Sequence, residues 1–171
     1  MQNMNPEEIE KEFVKTYDLY ADAIFRHCYF RINDRERAKD LMQEVMIKGW
    51  LYLKEGQKID NIRALLYKIA HNIIIDEIRK KKAVSLDTLK EQGFEPADEK
   101  DESAELEKIM EVGKVKDCLP KMNPKYREVI VMRYIDELSI KEMAETLAES
   151  ENVISVRLNR ATNQLRQLLK N

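Results

Sequence analysis

Apolar residues recur at steps of three and four along most of this chain, and that spacing predicts amphipathic helices. The first covers about Glu7 to Arg31, with Ile9, Phe13, Tyr17, Tyr20, Ile24 and Cys28 on one stripe. Asn33 and Asp34 then supply a turn and an N-cap, because short polar side chains satisfy the unpaired amides of a helix start. A second helix follows from about Arg35 to Leu53, burying Ala38, Leu41, Val45 and Trp50. The segment "KEGQKIDN" breaks it, and Asp60 or Asn61 caps a third helix that continues to about Lys82. Its stripe is Ile62, Leu66, Ile69 and Ile73.

From Ala83 to about Glu102 the periodicity dissolves into a stretch with Gly93, Pro96 and an acidic cluster. This reads as a tether, since few apolar side chains are available to offset the entropy of ordering it. Leu86, Leu89 and Phe94 leave open the alternative of a strap docked on one lobe. The pattern resumes at about Ser103 in a helix that Pro120 stops beyond Leu119. Asn123 caps the next helix, "KYREVIVMRYI", with Pro124 at its first position, where a missing N–H costs nothing. Ser139 and Glu142 form a capping box ahead of Ile140, Met143, Ala144 and Leu147. After a three-residue break Ser150 caps the last helix, whose stripe is Ile154, Leu158, Ala161, Leu165 and Leu168. The expected fold is therefore all-α: two small helical domains, residues 1–82 and 103–171, joined by a flexible acidic linker at 83–102. The second domain has the form of a helix-turn-helix.

Composition supports helices, with 4 Gly in 171 residues and hence few turn formers. No apolar run approaches the roughly 18–20 residues of a membrane span. The N-terminus "MQNMNPEEIEKEF" lacks a basic then apolar leader, so a cytoplasmic protein without membrane insertion is expected. Cys28 and Cys118 share no metal-type spacing, and reduced, half-buried thiols are favoured over a disulfide. His27 and His71 stand alone and are not read as ligands. The formal charge of −2 conceals an uneven distribution. Residues 95–112 hold eight acids against two bases, and residues 62–82 hold six bases against two acids. Residues 153–171 carry four bases and no acid. A phosphate backbone responds to charge within a Debye length, so the net value does not exclude nucleic acid.

On the last helix the stripe leaves Asn152, Ser155, Val156, Asn159 and Asn163 on the opposite face, flanked by Arg157 and Arg160. Amides and hydroxyls reach base edges, an apolar methyl meets thymine, and guanidiniums hold phosphates. A second helix entering the major groove N-terminus first is the helix-turn-helix arrangement. The same residues also suit a plain helical hairpin with a solvated polar face. Elsewhere Asp40 and Glu44 stand one turn apart, but no third ligand joins them, and neither a metal, a cofactor nor a catalytic constellation is expected.

The segment "LPKMNPKYREVIVMRYIDELSIKEMAETLAESENVISVRLNRATNQLRQLL" resembles the fourth conserved region of bacterial RNA polymerase sigma factors. The likeness rests on its Leu-Pro, the Arg-Glu-Val with following apolar run and Arg-Tyr, the Leu-Ser before the turn helix, and Val-Arg-Leu-x-Arg-Ala. "CYFRINDRERAKDLMQEVMIKGW" and "ALLYKIAHNIIIDEIRKKK" are similar to the second conserved region, through Asp-Leu-x-Gln-Glu-Val, the trailing Trp, and Tyr-x-Ile-Ala-x-Asn. With no first or third region, the whole resembles an extracytoplasmic-function sigma factor. Family members often carry Gly near the turn, where this chain has Ala148 and Asn152; an Asn there tolerates left-handed backbone. They often have a basic residue and then Ser where this chain has Ser155 and Val156, which implies an unusual promoter preference.

The resemblance implies a non-enzymatic specificity subunit. Its partners would be core RNA polymerase, through the β′ clamp and β flap, promoter DNA, and an anti-sigma protein. It implies that Asp40, Gln43, Glu44 and Ile47 dock on the β′ clamp helices. It places minus-ten recognition on Lys68, Asn72, Arg79 and Lys80, with an extruded base held by the loop Lys54 to Asn61. Tyr67, near this face, is expected to be half core. Minus-thirty-five recognition falls to Asn152, Ser155, Val156, Arg157, Asn159 and Arg160. The competing class is a regulator that kept this shape but lost promoter opening, such as a decoy or a helix-turn-helix activator.

Overall fold

A computed structural model describes residues 5–56, 58–84 and 114–170, which are helical with no strand among them. From Ser85 onward the expected linker lies outside the described residues, as does the expected helix start at Ser103. The chain divides into two compact units, Met1–Ile78 and Arg79–Asn171. The division falls about a turn before Lys82, within a helix that runs unbroken to Val84.

In the first unit α1 spans Pro6–Ile32, α2 Arg35–Lys54 and α3 Ile62–Val84. Asn5 and Glu8 start α1 with a capping box, and Pro6 takes the first position. Asn33 turns the chain at φ 56°, and the Asp34 carboxylate accepts from the Arg37 amide at 3.0 Å. A two-residue connection folds α2 back along α1 as an antiparallel hairpin. Phe13 and Trp50 close its far end with ring centroids 5.0 Å apart. Asn61 caps α3 by accepting from the Ala64 amide at 3.0 Å.

The buried face of α1 is Thr16, Ile24, His27, Cys28 and Arg31, so it includes polar residues that the apolar stripe omitted. Tyr17 is 40% exposed, on the rim of that face, and Trp50 is half-buried. α3 comes close to α2 at Gly49, where an added Cβ would stand 2.9 Å from Leu66 Cδ2. Farther along, Arg37 donates a two-pronged pair of hydrogen bonds to the Glu77 carboxylate, at 2.9 and 2.7 Å. Matching Gly49 with Leu66 and Arg37 with Glu77 makes α3 antiparallel to α2. Tyr67 is fully buried, edge-on to His27 at 5.3 Å and under the Arg63 guanidinium at 5.8 Å.

The second unit contains α4 (Lys114–Cys118), α5 (Pro124–Ile130), α6 (Ile140–Leu147) and α7 (Glu151–Lys170). Pro120 lies in a 3-10 turn, Leu119–Lys121, directly after α4. Asn123 caps α5 as the sequence suggests, accepting from the Lys125 amide at 3.0 Å. Val129, Ile130, Val131 and Met132 are all completely buried, so this segment is surrounded on every side. There the helix widens to π geometry over Val131–Ile135, and the Asp136 amide reaches back five residues to the Val131 carbonyl at 3.0 Å. Cys28 and Cys118 are not joined in a disulfide, and both are buried rather than half-buried. No helix among the described residues is long and apolar enough to cross a membrane.

Between α6 and α7 the left-handed residue is Ala148, at φ 53° and ψ 43°, whereas Asn152 lies inside α7. The expectation that Asn152 would absorb the left-handed geometry is thus corrected: the turn comes directly after Leu147. A Cβ is unfavourable in this region and Gly escapes the penalty. Ala148→Gly is therefore expected to stabilise the second unit by about 1 kcal/mol, read as a raised urea midpoint.

Candidate nucleic-acid interface

The capping box of Ser139 and Glu142 fixes the start of α6, with the Ser139 amide donating to Glu142 at 2.8 Å. Ser150 Oγ accepts from the Val153 amide at 3.3 Å and fixes the start of α7. Ile154, Ala161 and Leu165 are buried beneath α7. Its outer face therefore presents Asn152, Val153, Ser155, Val156 and Arg160, all exposed, with Arg157 and Asn159 half-buried.

These side chains are not equally available. Ser155 Oγ donates to the Glu151 carbonyl at 2.9 Å. Arg157 pairs with Glu149 across the turn at 2.5 Å, and its side chain is only 18% exposed. Nothing in the residue spacing signals that pair. Asn163 accepts from Arg166 at 3.1 Å and is half-buried, so it is engaged within its own helix. A groove of about 380 Å³ runs between the first turn of α5 and α7, where Lys125 and Tyr126 face Val153, Val156 and Arg160. Sequence reasoning did not single out Lys125, because it lies outside the helix-turn-helix.

In the first unit Asp40, Gln43, Glu44 and Ile47 share an exposed face of α2. Ile47 is 58% exposed and Leu51, one turn on, continues the apolar patch. The acids keep loose local partners: Arg37 is 3.9 Å from Asp40, and Lys48 is 3.1 Å from Glu44. Arg37 itself is held charged above the ordinary arginine range, chiefly by its hydrogen bonds to Glu77, against a smaller opposing effect of burial. On α3, Lys68, Asn72, Arg79 and Lys80 are exposed, with Ile75 half-buried between them. Tyr67 has left this face for the core. In the connecting loop Gly56 takes φ 68° and Lys58 pairs with Asp60 at 3.2 Å; Gln57 lies outside the described residues.

Residues 16–84 match sigma-70 region 2, and residues 113–165 match sigma-70, region 4. The chain is 30% identical over 172 residues to the ECF RNA polymerase sigma factor SigW of Bacillus subtilis, covering 92% of this chain and 89% of SigW. It belongs to the extracytoplasmic-function sigma factors of bacterial RNA polymerase.

The ECF sigma factor BldN of Streptomyces coelicolor is 24% identical over 92% of this chain and 60% of its own length. The fold is shared with the sigma factor RpoE of Bartonella quintana, solved in complex with the anti-sigma factor NepR. The TM-score is 0.72 at 21% identity, over 94% of this chain and 98% of RpoE. CnrH, solved with the cytosolic domain of CnrY, gives a TM-score of 0.68 at 22% identity, over 94% of this chain and 89% of CnrH. As an RNA polymerase sigma factor, this protein is a DNA-binding initiation factor that directs transcription from promoters.

Proposed function

We propose that the two units of this sigma factor divide the work of promoter recognition. α7 reads the minus-thirty-five element in the major groove through Asn152, Ser155, Val156 and Asn159, with Arg160 on a phosphate. Arg157 acts mainly through Glu149, holding the turn that aims the helix. The observation that carries this reading is the exposed polar and basic face of α7, set directly after a left-handed break and a capped helix. α3 holds the opened minus-ten strand, with Asn72 on a base edge and Lys68, Arg79 and Lys80 along the backbone; cations and stacking suit single strands. Asp40, Gln43, Glu44 and Ile47 dock on the β′ clamp, where carboxylates meet a basic partner and Ile47 supplies apolar burial.

In this reading the protein works in the cytoplasm and carries no active site of its own, since nucleotide chemistry belongs to the polymerase. An anti-sigma protein that masks these faces would hold it inactive, as the pairing of RpoE with NepR suggests by analogy.

The two kinds of contact on α7 are separable by salt. With the holoenzyme, Arg160→Ala is expected to weaken every duplex alike and to lower the salt slope by about one unit. Asn152→Ala is expected to cost about 1–3 kcal/mol on the promoter and little on scrambled DNA. Binding titrations at several salt concentrations check both, and equal near-zero effects would remove α7 from the DNA interface.

A further inference from the structure

Two valines on the recognition helix are exposed for no structural reason. Val153 and Val156 are 44% and 45% exposed and lie outside the buried core of the helix. One helical turn places them side by side, and both line the groove that Lys125 and Tyr126 wall from α5. That lining carries Lys125, Arg157 and Arg160 and no acid among the described residues. Arg157 is neutralised by Glu149, so Lys125 and Arg160 are the cations that face outward on its rim. An apolar floor between two cations is complementary to a polyanion that bears methyl groups. In the major groove only thymine offers an apolar group, its 5-methyl.

We propose that Val153 and Val156 are specificity-determining residues that read thymine methyls in the minus-thirty-five element, with Lys125 holding a flanking phosphate from outside the helix-turn-helix. This rests on the assignment of α7 to that element. Amides such as Asn152 select adenine by paired hydrogen bonds, whereas the valines select thymine by excluding water from its methyl. Opposite strands of an A·T pair present the two signals together, so this chain is expected to favour A·T-rich minus-thirty-five sequences.

The test uses the full-length chain with core polymerase of its own bacterium. Duplexes randomised over the minus-thirty-five segment are selected for binding, and each thymine of the selected sequence is then replaced singly by deoxyuracil. With the unaltered protein, one or two replacements are expected to weaken binding about fourfold, the worth of one buried methyl. With Val156→Ala or Val153→Ala, the penalty at the matching position is expected to vanish while the other remains. Lys125→Ala is expected to weaken all selected duplexes equally and leave the deoxyuracil pattern intact. Both valines are exposed, so an unchanged circular dichroism spectrum shows that the variants fold. Deoxyuracil tolerated everywhere, or penalties that persist in both valine variants, would overturn the proposal while leaving α7 on the promoter. Selection that enriches no sequence at all would overturn the assignment of α7 itself.

Discussion

Reversing two charges on α2, Asp40→Lys together with Glu44→Lys, is expected to abolish binding to core polymerase while leaving the fold intact. Both carboxylates are exposed, and their local partners are single surface pairs, so the change costs the fold at most about 1 kcal/mol per pair. At a docked interface the same change sets like charges against a basic partner, which costs several kcal/mol, or at least about a hundredfold in affinity. Glu77, which anchors Arg37, is untouched. Co-purification with core polymerase, alongside circular dichroism, measures the outcome. Undiminished recovery with a native spectrum would exclude this face as the docking surface.

Tyr67→Ala is expected to destabilise the first unit by about 3–5 kcal/mol, the usual cost of emptying a fully buried aromatic site. Only 2% of the residue is exposed, and its ring is enclosed by His27 and Arg63. Tyr67→Phe keeps the ring and should retain most of the stability. Urea unfolding of the full chain gives the difference. If Tyr67 instead served as a stacking platform for opened DNA, the alanine variant would unfold at the normal midpoint and fail only in promoter opening.

Much of the local structure is legible in the sequence because caps are local chemistry. Asp34, Asn61, Asn123, Ser139 and Ser150 each place an oxygen beside an amide two or three residues on, which needs no tertiary information. The outward faces of α2, α3 and α7 follow from the same periodicity, since the residues left off a buried stripe are exposed. What escapes is whatever depends on a partner far along the chain. Arg37 and Glu77 are separated by 40 positions, and each alone reads as a solvated surface charge. Thr16, His27 and Arg31 are buried on α1 although hydropathy assigns them outward, and His27 meets Tyr67 of α3, 40 positions on. Gly49 offered a signal: an isolated glycine within a helical pattern points to close packing, here against Leu66. The π segment and the left-handed Ala148 had none, since neither Val131–Ile135 nor an alanine carries a residue type that demands its geometry. The proposed DNA contacts divide the same way: the exposed face of α7 was visible, but the retirement of Arg157 onto Glu149 and the arrival of Lys125 were not.

The two-pronged bond between Arg37 and Glu77 also bears on how such proteins could be recombined. It joins the helix proposed to grip the enzyme to the helix proposed to grip the melted strand, and both prongs of the guanidinium must be accepted by the same carboxylate. A guanidinium's fixed fork tolerates little sliding between its two acceptors. Grafting a foreign α3 onto this α2 would therefore import new promoter preferences only if an acid arrived at the position of Glu77 in the same register. A graft shifted by one residue would turn that acid about a quarter-turn away around the helix. The pair thus acts as an alignment key, and it defines the seam along which the domain can be exchanged.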